Sequence, residues 1–545
     1  MKRLLFISMT FELTVLCLSS SLLCDGELCP KVISMPLVDN MKASLKADID
    51  VSQINKYLKA YIKQEINTEI RTIMKDVVEE LTENRTSSMK EENVSRQEGK
   101  RLNESCSTAR ECKETLICEN RYCQCRGTEH WNGMQCLGNS KGVQFTIVFT
   151  EKGYVKETKL LVASKKGGLL SQYTFFNNRN KTTRFTNTQY SLDPLDNNVI
   201  KDGIEKVGIE VQSSIPISLY GIQDRDNGGS TEAYMAIPRK YLSTNYLLPS
   251  FKVYSSAADS ALTITTTEDS TTVKLNLRME KGPLRYKNRN YNNNDEIILV
   301  LNKFHSFKLS HSSDLSGTTI QATKPVSVLT SSKENKVTKT GGNNELLEMV
   351  LPLNQIDHFY VIPEIVTRPS STVRVYCPEE TTLSLYDGNN RLTKHVDGRK
   401  FIDFTHRKIS YIHGNHDFLV MIFPHELPDG TGTTFMMTIH GVNQYMSNYD
   451  FAVPAIDDLK SHVTVCVKSS ALGGFTLDGQ PTTIDGVYSI SNGTDRYSTF
   501  SFKISPGQHN ISHTGGARFG LWVYGENNAY DAYGYPAGIA FKTNI

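Results

Sequence analysis

Three groupings of residues in this 545-residue chain carry types and spacings that could do chemistry. "GNSKG" at 138–142 has the Gly-x-Ser-x-Gly spacing of a nucleophile elbow, which presents a serine at a strand-to-helix turn. A cysteine-rich segment precedes it and an alternating strand, "VQFTIVF", follows, so the pattern lacks the helix an elbow requires. His406, His413 and His416 in "THRKISYIHGNHDF" offer ligands for a transition metal. His413 and His416 flank Gly-Asn, which reads instead as a solvent-facing turn between strands. "DRDNGG", from Asp224, has the early acidic positions of a calcium loop but no later glutamate to close the coordination, so it reads as a hairpin turn. No glycine-rich loop opens a helix to cradle phosphate. No catalytic, cofactor-binding or metal-binding residue is assigned, no cofactor is expected, and the chain is read as a non-enzyme.

The elements that would position any site are read from composition and periodicity. The chain is 39% apolar and 22% charged with a net charge of +2, which gives no basic face for nucleic acid. Its 25 Tyr and 22 Phe, with abundant Thr, Ser, Asn and Gly, favour strands. Lys2 and Arg3 precede an apolar run with small residues near Ser19, which reads as a secretory signal peptide over 1–24. Glu12 inside that run leaves an uncleaved signal anchor as the alternative, the one case in which a membrane enters. No other stretch approaches the roughly 20 apolar residues of a membrane helix. Sequons at Asn84, Asn93, Asn103, Asn180, Asn492 and Asn510 fit a secreted, glycosylated product.

Within 41–82, apolar residues from Val51 through Ile54, Leu58, Ile62, Ile66, Ile70, Ile73, Val77 and Leu81 recur every three or four positions, without Pro or Gly. That is an amphipathic helix with a narrow stripe. Ile62, Ile66 and Ile70 return eleven residues later as Ile73, Val77 and Leu81, which suggests a straight or slightly right-handed coiled coil that gathers copies of the chain. A helix packed on its own domain is the alternative. The polar stretch 83–105 then reads as a glycosylated linker.

Six cysteines follow within 106–136: Cys106, Cys112, Cys118, Cys123, Cys125 and Cys136. In a secreted chain so short a segment is a disulfide framework, with a zinc site as the lesser reading. The C-x-C followed by "WNGMQC" resembles an EGF-like module. That family's pattern implies Cys106–Cys118, Cys112–Cys123 and Cys125–Cys136, and the absence of its acidic signature ahead of Cys106 implies no calcium. Cys29 beside the helix is a candidate for an interchain bridge, or pairs with Cys24. Cys377 and Cys466 remain, either bridged to each other or as buried thiols.

From Gly142 onward the chain is mainly β and repeats itself. Pro238, Leu242, Tyr246 and Pro249 are spaced like Pro352, Ile356, Tyr360 and Pro363. "TVKLNL", "TVRVYC" and "HVTVCV" align as strands, and so do "PISLYG", "PVSVLT", "DFLVMI" and "FGLWVYG". Self-similarity at this period predicts tandem β-sandwich-like units, near 142–253, 254–366, 367–456 and 457–545. The proline-flanked stretches read as crossing segments where one unit hands over to the next.

"SGTTIQATKPVSVLTSS", "ELLEMVLPLNQIDHFYVIPE", "FTLDGQP" and above all "LWVYGENNAYDAYGYPAG" resemble the N-terminal domain family of IgGFc-binding proteins and their mucus-associated relatives, across 142–545. With the sequence ending at Ile545, no von Willebrand-type or mucin region is expected to follow. The family often has a cysteine ahead of "LLEMVLP"; "GGNNE" stands here, so no disulfide is carried over. The resemblance implies a secreted binding or adhesion protein in host defence or mucosal recognition, with an extracellular protein or glycan as ligand. Turn residues at 224–229, 292–295 and 527–530 are candidate contacts. A self-assembling component of mucus or matrix is the second reading, and a hydrolase the third.

Overall fold

Between Pro238 and Leu242, and again between Pro352 and Ile356, the chain makes a single 3-10 turn, Arg239–Tyr241 and Leu353–Gln355. Proline fits ahead of each because its fixed φ matches the extended backbone required there, at φ −56° and −61°. A third turn, Val442–Gln444, sits at the corresponding place, but Gly441 stands where the proline would be. A Cβ on Gly441 would lie 2.1 Å from the Asp357 carboxylate, so this junction has no room for a ring.

The structure is a computed structural model that describes residues 104–543, apart from short interruptions of which 193–198 is the longest. The expected signal peptide, the helix at 41–82, Cys24, Cys29, Asn84, Asn93, Asn103 and Asn492 lie outside the described residues, as do 226–229 and 528–530. In the cystine module the bridges are Cys106–Cys118, Cys112–Cys123 and Cys125–Cys136.

Four β units follow. Each is organised by one long strand: Ile209–Arg225, Thr319–Asn335 and Ser410–Pro424 in the first three. In the fourth the same path is interrupted, as Gly507–His513 and Phe519–Glu526. The register on the preceding opening strand slips between Gln212 and Ile217, between Gln321 and Val326, and between His413 and Phe418. A bulged corner of this kind lets one strand serve two packed sheets. "PISLYG", "PVSVLT", "DFLVMI" and "FGLWVYG" begin at or just before the resumption of pairing beyond these corners.

The opening strands are Gly142–Ile147, Ser243–Leu247, Asp357–Ile362 and Asn448–Val453. Each of the last three follows a 3-10 turn and pairs with the long strand of the unit after it, which moves every hand-over upstream of Tyr246, Tyr360 and Tyr449. The tyrosines explain the repeat. Ser243 N–H donates to Tyr246 Oη at 3.0 Å, and that hydroxyl donates to Val326 O at 2.6 Å. Asp357 N–H reaches Tyr360 Oη and Met446 N–H reaches Tyr449 Oη, both at 3.0 Å, and these hydroxyls donate to Phe418 O and Phe519 O. One buried hydroxyl thus satisfies two backbone groups at each corner, where the ladder is broken.

Three expectations need correction. "TVKLNL" is not the counterpart of "TVRVYC": Thr271–Asn276 pairs with the first half of its long strand, whereas Ser371–Cys377 pairs with the second half. The true counterpart of Ser371–Cys377 is Ser260–Thr266. Two neighbouring strands with the same Thr-Val alternation are interchangeable by pattern alone. Nor do His413 and His416 lie in a turn; both belong to the continuous strand Ser410–Pro424, at its corner. Cys377 and Cys466 are buried free thiols rather than a bridge. They sit on corresponding strands of separate sheets, each beside its own hydroxyl, Thr381 and Tyr445.

The closing strands Glu232–Met235, Asn344–Met349, Met437–Ile439 and Ala532–Pro536 are buried throughout and pack on one another, first on second, first on fourth and third on fourth. The first, second and fourth contribute Tyr234, Leu347 and Tyr535 to an apolar core shared between units, and the third contributes Met437 and Ile439 to a second core. The last residues then cross all three junctions. Phe541 stacks on Tyr241 with ring centroids 4.4 Å apart. Lys542 O accepts from Gln355 Nε2 at 3.0 Å, and Ala540 N–H donates to Gln444 O at 2.9 Å. Tyr220 Oη donates to Ala537 O at 2.6 Å, and Thr543 Oγ1 donates to Cys136 O at 3.1 Å.

Candidate functional site

The groupings that suggested catalysis are not assembled. Ser140 is buried between the strands Cys136–Gly138 and Gly142–Ile147, with no helix after it. His406 is buried, its Nε2 3.0 Å from Pro363 O and its Nδ1 2.9 Å from Ser410 Oγ, and burial pushes its pKa down to about 4. His416 Nδ1 stands 3.4 Å from Glu379. His413 faces His358 with ring centroids 5.6 Å apart, and loss of solvent lowers its pKa.

One mixed cluster does form at the corner of the third unit. His358 Nδ1 lies 3.4 Å from Asp357 Oδ1 and 3.3 Å from Asp417 Oδ1, a set of donors that could surround a cation. Its lone pairs are already used. Asp357 Oδ1 accepts from His358 N–H at 2.8 Å and from Asn443 Nδ2 at 3.0 Å, and its Oδ2 accepts from Asn443 N–H at 3.0 Å. Lys542 Nζ holds the other Asp417 oxygen at 3.1 Å. The arrangement is an ion-pair node tying the final strand to the second and third junctions.

Surfaces offer more than titratable clusters do. In the first unit a cleft of about 260 Å³ is lined by Ser171, Tyr173, Asn180, Glu210 and Gln212, and closed by Lys303 and Phe304 from the second unit. Tyr173, Phe175 and Phe304 form one aromatic group with centroids 6.0–6.2 Å apart. Phe304 holds φ +59°, an unusual conformation for an aromatic residue, and this turns its ring into the group. Glu210 Oε1 accepts from Gln144 Nε2 at 2.6 Å with Arg239 3.6 Å away, which leaves the acid fixed at the cleft wall. Elsewhere, the edge strand Glu296–Leu301 presents Ile298 and Val300 at 62% and 67% exposure.

Of the candidate contact turns, 292–295 is described: Asn292 N–H donates to Asp295 Oδ2 at 2.7 Å and Asn294 takes φ +69°, so the loop closes on itself. Asp224 is the penultimate residue of the first long strand, and Asn527 Nδ2 donates to Asp531 Oδ2 at 3.1 Å. The sequence did not reveal the cleft, because its residues come from separate strands and two units. A partial signal was present: the sequon at Asn180 lies in a hairpin whose other strand carries Tyr173.

Comparison with known proteins places the β region. Human IgGFc-binding protein is 23% identical over 210 residues, which is 36% of this chain and 4% of that protein's length. Two solved structures are each 10% identical. A Ca2+-stabilized adhesin with which an Antarctic bacterium binds ice covers 74% of this chain and 99% of its own, at TM-score 0.10. A 1.5-MDa bacterial ice-binding adhesin covers 52% of this chain and 90% of its own, at TM-score 0.09. Superpositions that poor carry no argument. The family model described as IgGFc binding protein matches residues 232–525, more than half of the chain, and the chain belongs to the IgGFc-binding protein family.

Proposed function

We propose that this chain is a secreted, oligomeric binding and adhesion protein that recognises extracellular protein or glycan surfaces, in host defence or at mucosal surfaces. The observation that carries the reading is the match to a family defined by binding rather than by a reaction. Among the described residues the serine and histidine groupings lie apart and engaged, which suits a binding body better than a hydrolase. In this reading the helix at 41–82 and Cys29 gather several copies, sequons at Asn84, Asn93 and Asn103 keep the linker solvated, and the cystine module spaces the β units from the stalk. Linking weak sites in this way raises apparent affinity by about 10²–10⁴ without any new contact.

The matrix reading draws on a different observation. Glu296–Leu301 is an edge strand with Ile298 and Val300 exposed, the kind of edge that pairs with another chain. The test is retention of the full-length protein on microbial surfaces, glycans, mucins and immunoglobulin, beside a Cys29→Ser, Ile62→Pro variant with a weakened stalk. Strong retention by the parent and weak retention by the variant is expected. Retention equal in both would sink avidity, and concentration-dependent self-assembly without retention on any surface would favour the matrix reading.

A further inference from the structure

We infer that the cleft on the first unit seats the chain's own N-linked sugar: a glycan on Asn180 folds back over the Tyr173 ring, while the sequon at Asn510 stays bare. The inference rests on the reading that the chain passes through the secretory pathway. The two asparagines have opposite surroundings. Asn180 is exposed on Arg179–Phe185, a strand at the edge of its sheet, and among the described residues no hydrogen bond holds its side chain. Thr182, the third sequon residue, is also exposed, its Oγ1 2.9 Å from Ser171 Oγ.

Asn510 is a hub. Its Nδ2 lies 2.6 Å from Asp450 Oδ1, 3.0 Å from Tyr449 O and 3.2 Å from Asn448 Oδ1. These three acceptors join the opening strand of the fourth unit to Gly507–His513. The nitrogen that would bear the sugar is therefore the atom closing this strand pair. A sugar there removes a donor and fills the space between the strands, so a chain carrying it does not complete the fourth unit.

At Asn180 the opposite holds. Tyr173 is its direct partner across the hairpin, on the same face. Cross-strand partners of this kind have Cβ atoms roughly 4.5–5.5 Å apart, close enough for the first sugar ring to meet the phenol. The phenol is held in advance: its hydroxyl donates to Asn178 Oδ1 at 2.5 Å, and Phe304 and Phe175 back it at 6.2 Å. The apolar face of a pyranose suits an aromatic plane, and its hydroxyls find Ser171, Glu210 and Gln212 along the wall. A ring already fixed costs little entropy to use. The donor class is an oligosaccharide on a lipid diphosphate. Asn180 Nδ2 bonds to the anomeric carbon, the bond from that carbon to the diphosphate oxygen breaks, and the proton lost from the amide goes to the diphosphate side.

The experiment is glycopeptide mass spectrometry of the full-length protein from secretory cells, followed by melting and hydrogen exchange. Asn180 is expected occupied and Asn510 bare. Asn180→Gln is expected to lower Tm by about 2 °C in the parent and to change nothing in the Tyr173→Ala background. In the parent itself, trimming to a single sugar should leave exchange across 168–185 slow, and complete removal should speed it, a readout that requires no variant to fold. Sugar elsewhere with Asn180 bare would overturn the inference, as would sugar on Asn510 of folded protein, or equal effects in both backgrounds. Absence of sugar from every sequon would overturn both the secretory reading and this inference.

Discussion

The first β unit and the three that follow it solve the same corner differently. In all four, the opening strand meets the long strand at one register: Phe145 opposite Val211, Tyr246 opposite Ile320, Tyr360 opposite Ile412, and Tyr449 opposite Ile511 on the split strand. Three of these residues carry a hydroxyl that bridges a backbone donor and acceptor, and the fourth, Phe145, carries none. The tyrosine is therefore not required for the corner to form. What sets the later three apart is what precedes them: each follows directly on another unit through a 3-10 turn. The first opening strand follows the cystine module instead, and its Gly142 packs against Pro238. The hydroxyl belongs to the joint between units rather than to the unit.

The sharpest break in that comparison is at the joint between the second and third units. Arg374 is buried, with Nε and Nη2 bidentate to Asp403 at 2.6 and 2.8 Å and Nη1 on Asp314 at 2.6 Å and Ser250 O at 3.1 Å. Its guanidinium lies 3.8 Å from the Phe401 ring centroid. Removing one member of so enclosed a network leaves charge unpaired, so Arg374→Ala is expected to cost about 3–5 kcal/mol by denaturant unfolding. A loss under about 1 kcal/mol would show that the joint is not held there.

Next come the hydroxyls. Tyr246→Phe, Tyr360→Phe and Tyr449→Phe should each cost about 1–3 kcal/mol, because each strands two buried backbone groups. Phe145→Leu should cost less than about 1.5 kcal/mol, as a change of apolar shape alone. Equal losses at all four positions would erase the distinction between joint and unit.

A smaller effect concerns His440, which precedes Gly441 as Ile237 and Leu351 precede their prolines. It is fully buried against Trp522 at 4.6 Å, and burial pushes its pKa down to about 3. Between that value and the usual 6.5 the unfolded chain binds a proton that the folded chain refuses, so this residue makes stability fall as pH drops through that window. His440→Leu should remove up to about 1.4 kcal/mol per pH unit from the acid limb of a melting series, leaving the part due to His406. An unchanged limb would mean that His440 accepts a proton in place.

The smallest expected change has the opposite sign. Loss of solvent raises Glu364 to about 8, above its usual 4.5, so the folded state holds a proton the unfolded state has released. Stability contributed this way falls as pH rises from 4.5 to 8. Glu364→Gln should flatten that alkaline decline, and a decline as steep as the parent's would assign it elsewhere.

Particular residues show what the sequence makes legible. Pro238 and Tyr246 recur as Pro352 and Tyr360 because both types answer local demands, a fixed φ and a hydroxyl at a broken ladder, and local demands leave a readable spacing. Gly441 hid the third junction, since there the demand was space beside Asp357. The halves of the long strands before each corner were missed for a related reason: the bulge shifts the alternation, so "IEVQSS" and "PISLYG" do not read as one strand. The Asn180 cleft depends on the hairpin register and on a turn from the next unit, neither of which any single segment encodes. Membership of the IgGFc-binding protein family was legible in "YGYPAG", whose Tyr535 and Gly538 are buried among other units.

Synthesis runs from the N-terminus, and the segment that touches all three junctions is made after every residue it touches there. Until Phe541 reaches Tyr241 and Lys542 reaches Gln355, the junctions these residues close stay open. A nascent chain at that stage leaves Tyr220 without Ala537 and Tyr241 without Phe541, a surface on which chaperones act and on which copies can misassociate. A chain cut after Pro536 would therefore keep the strands of all four units yet stay open at its seam.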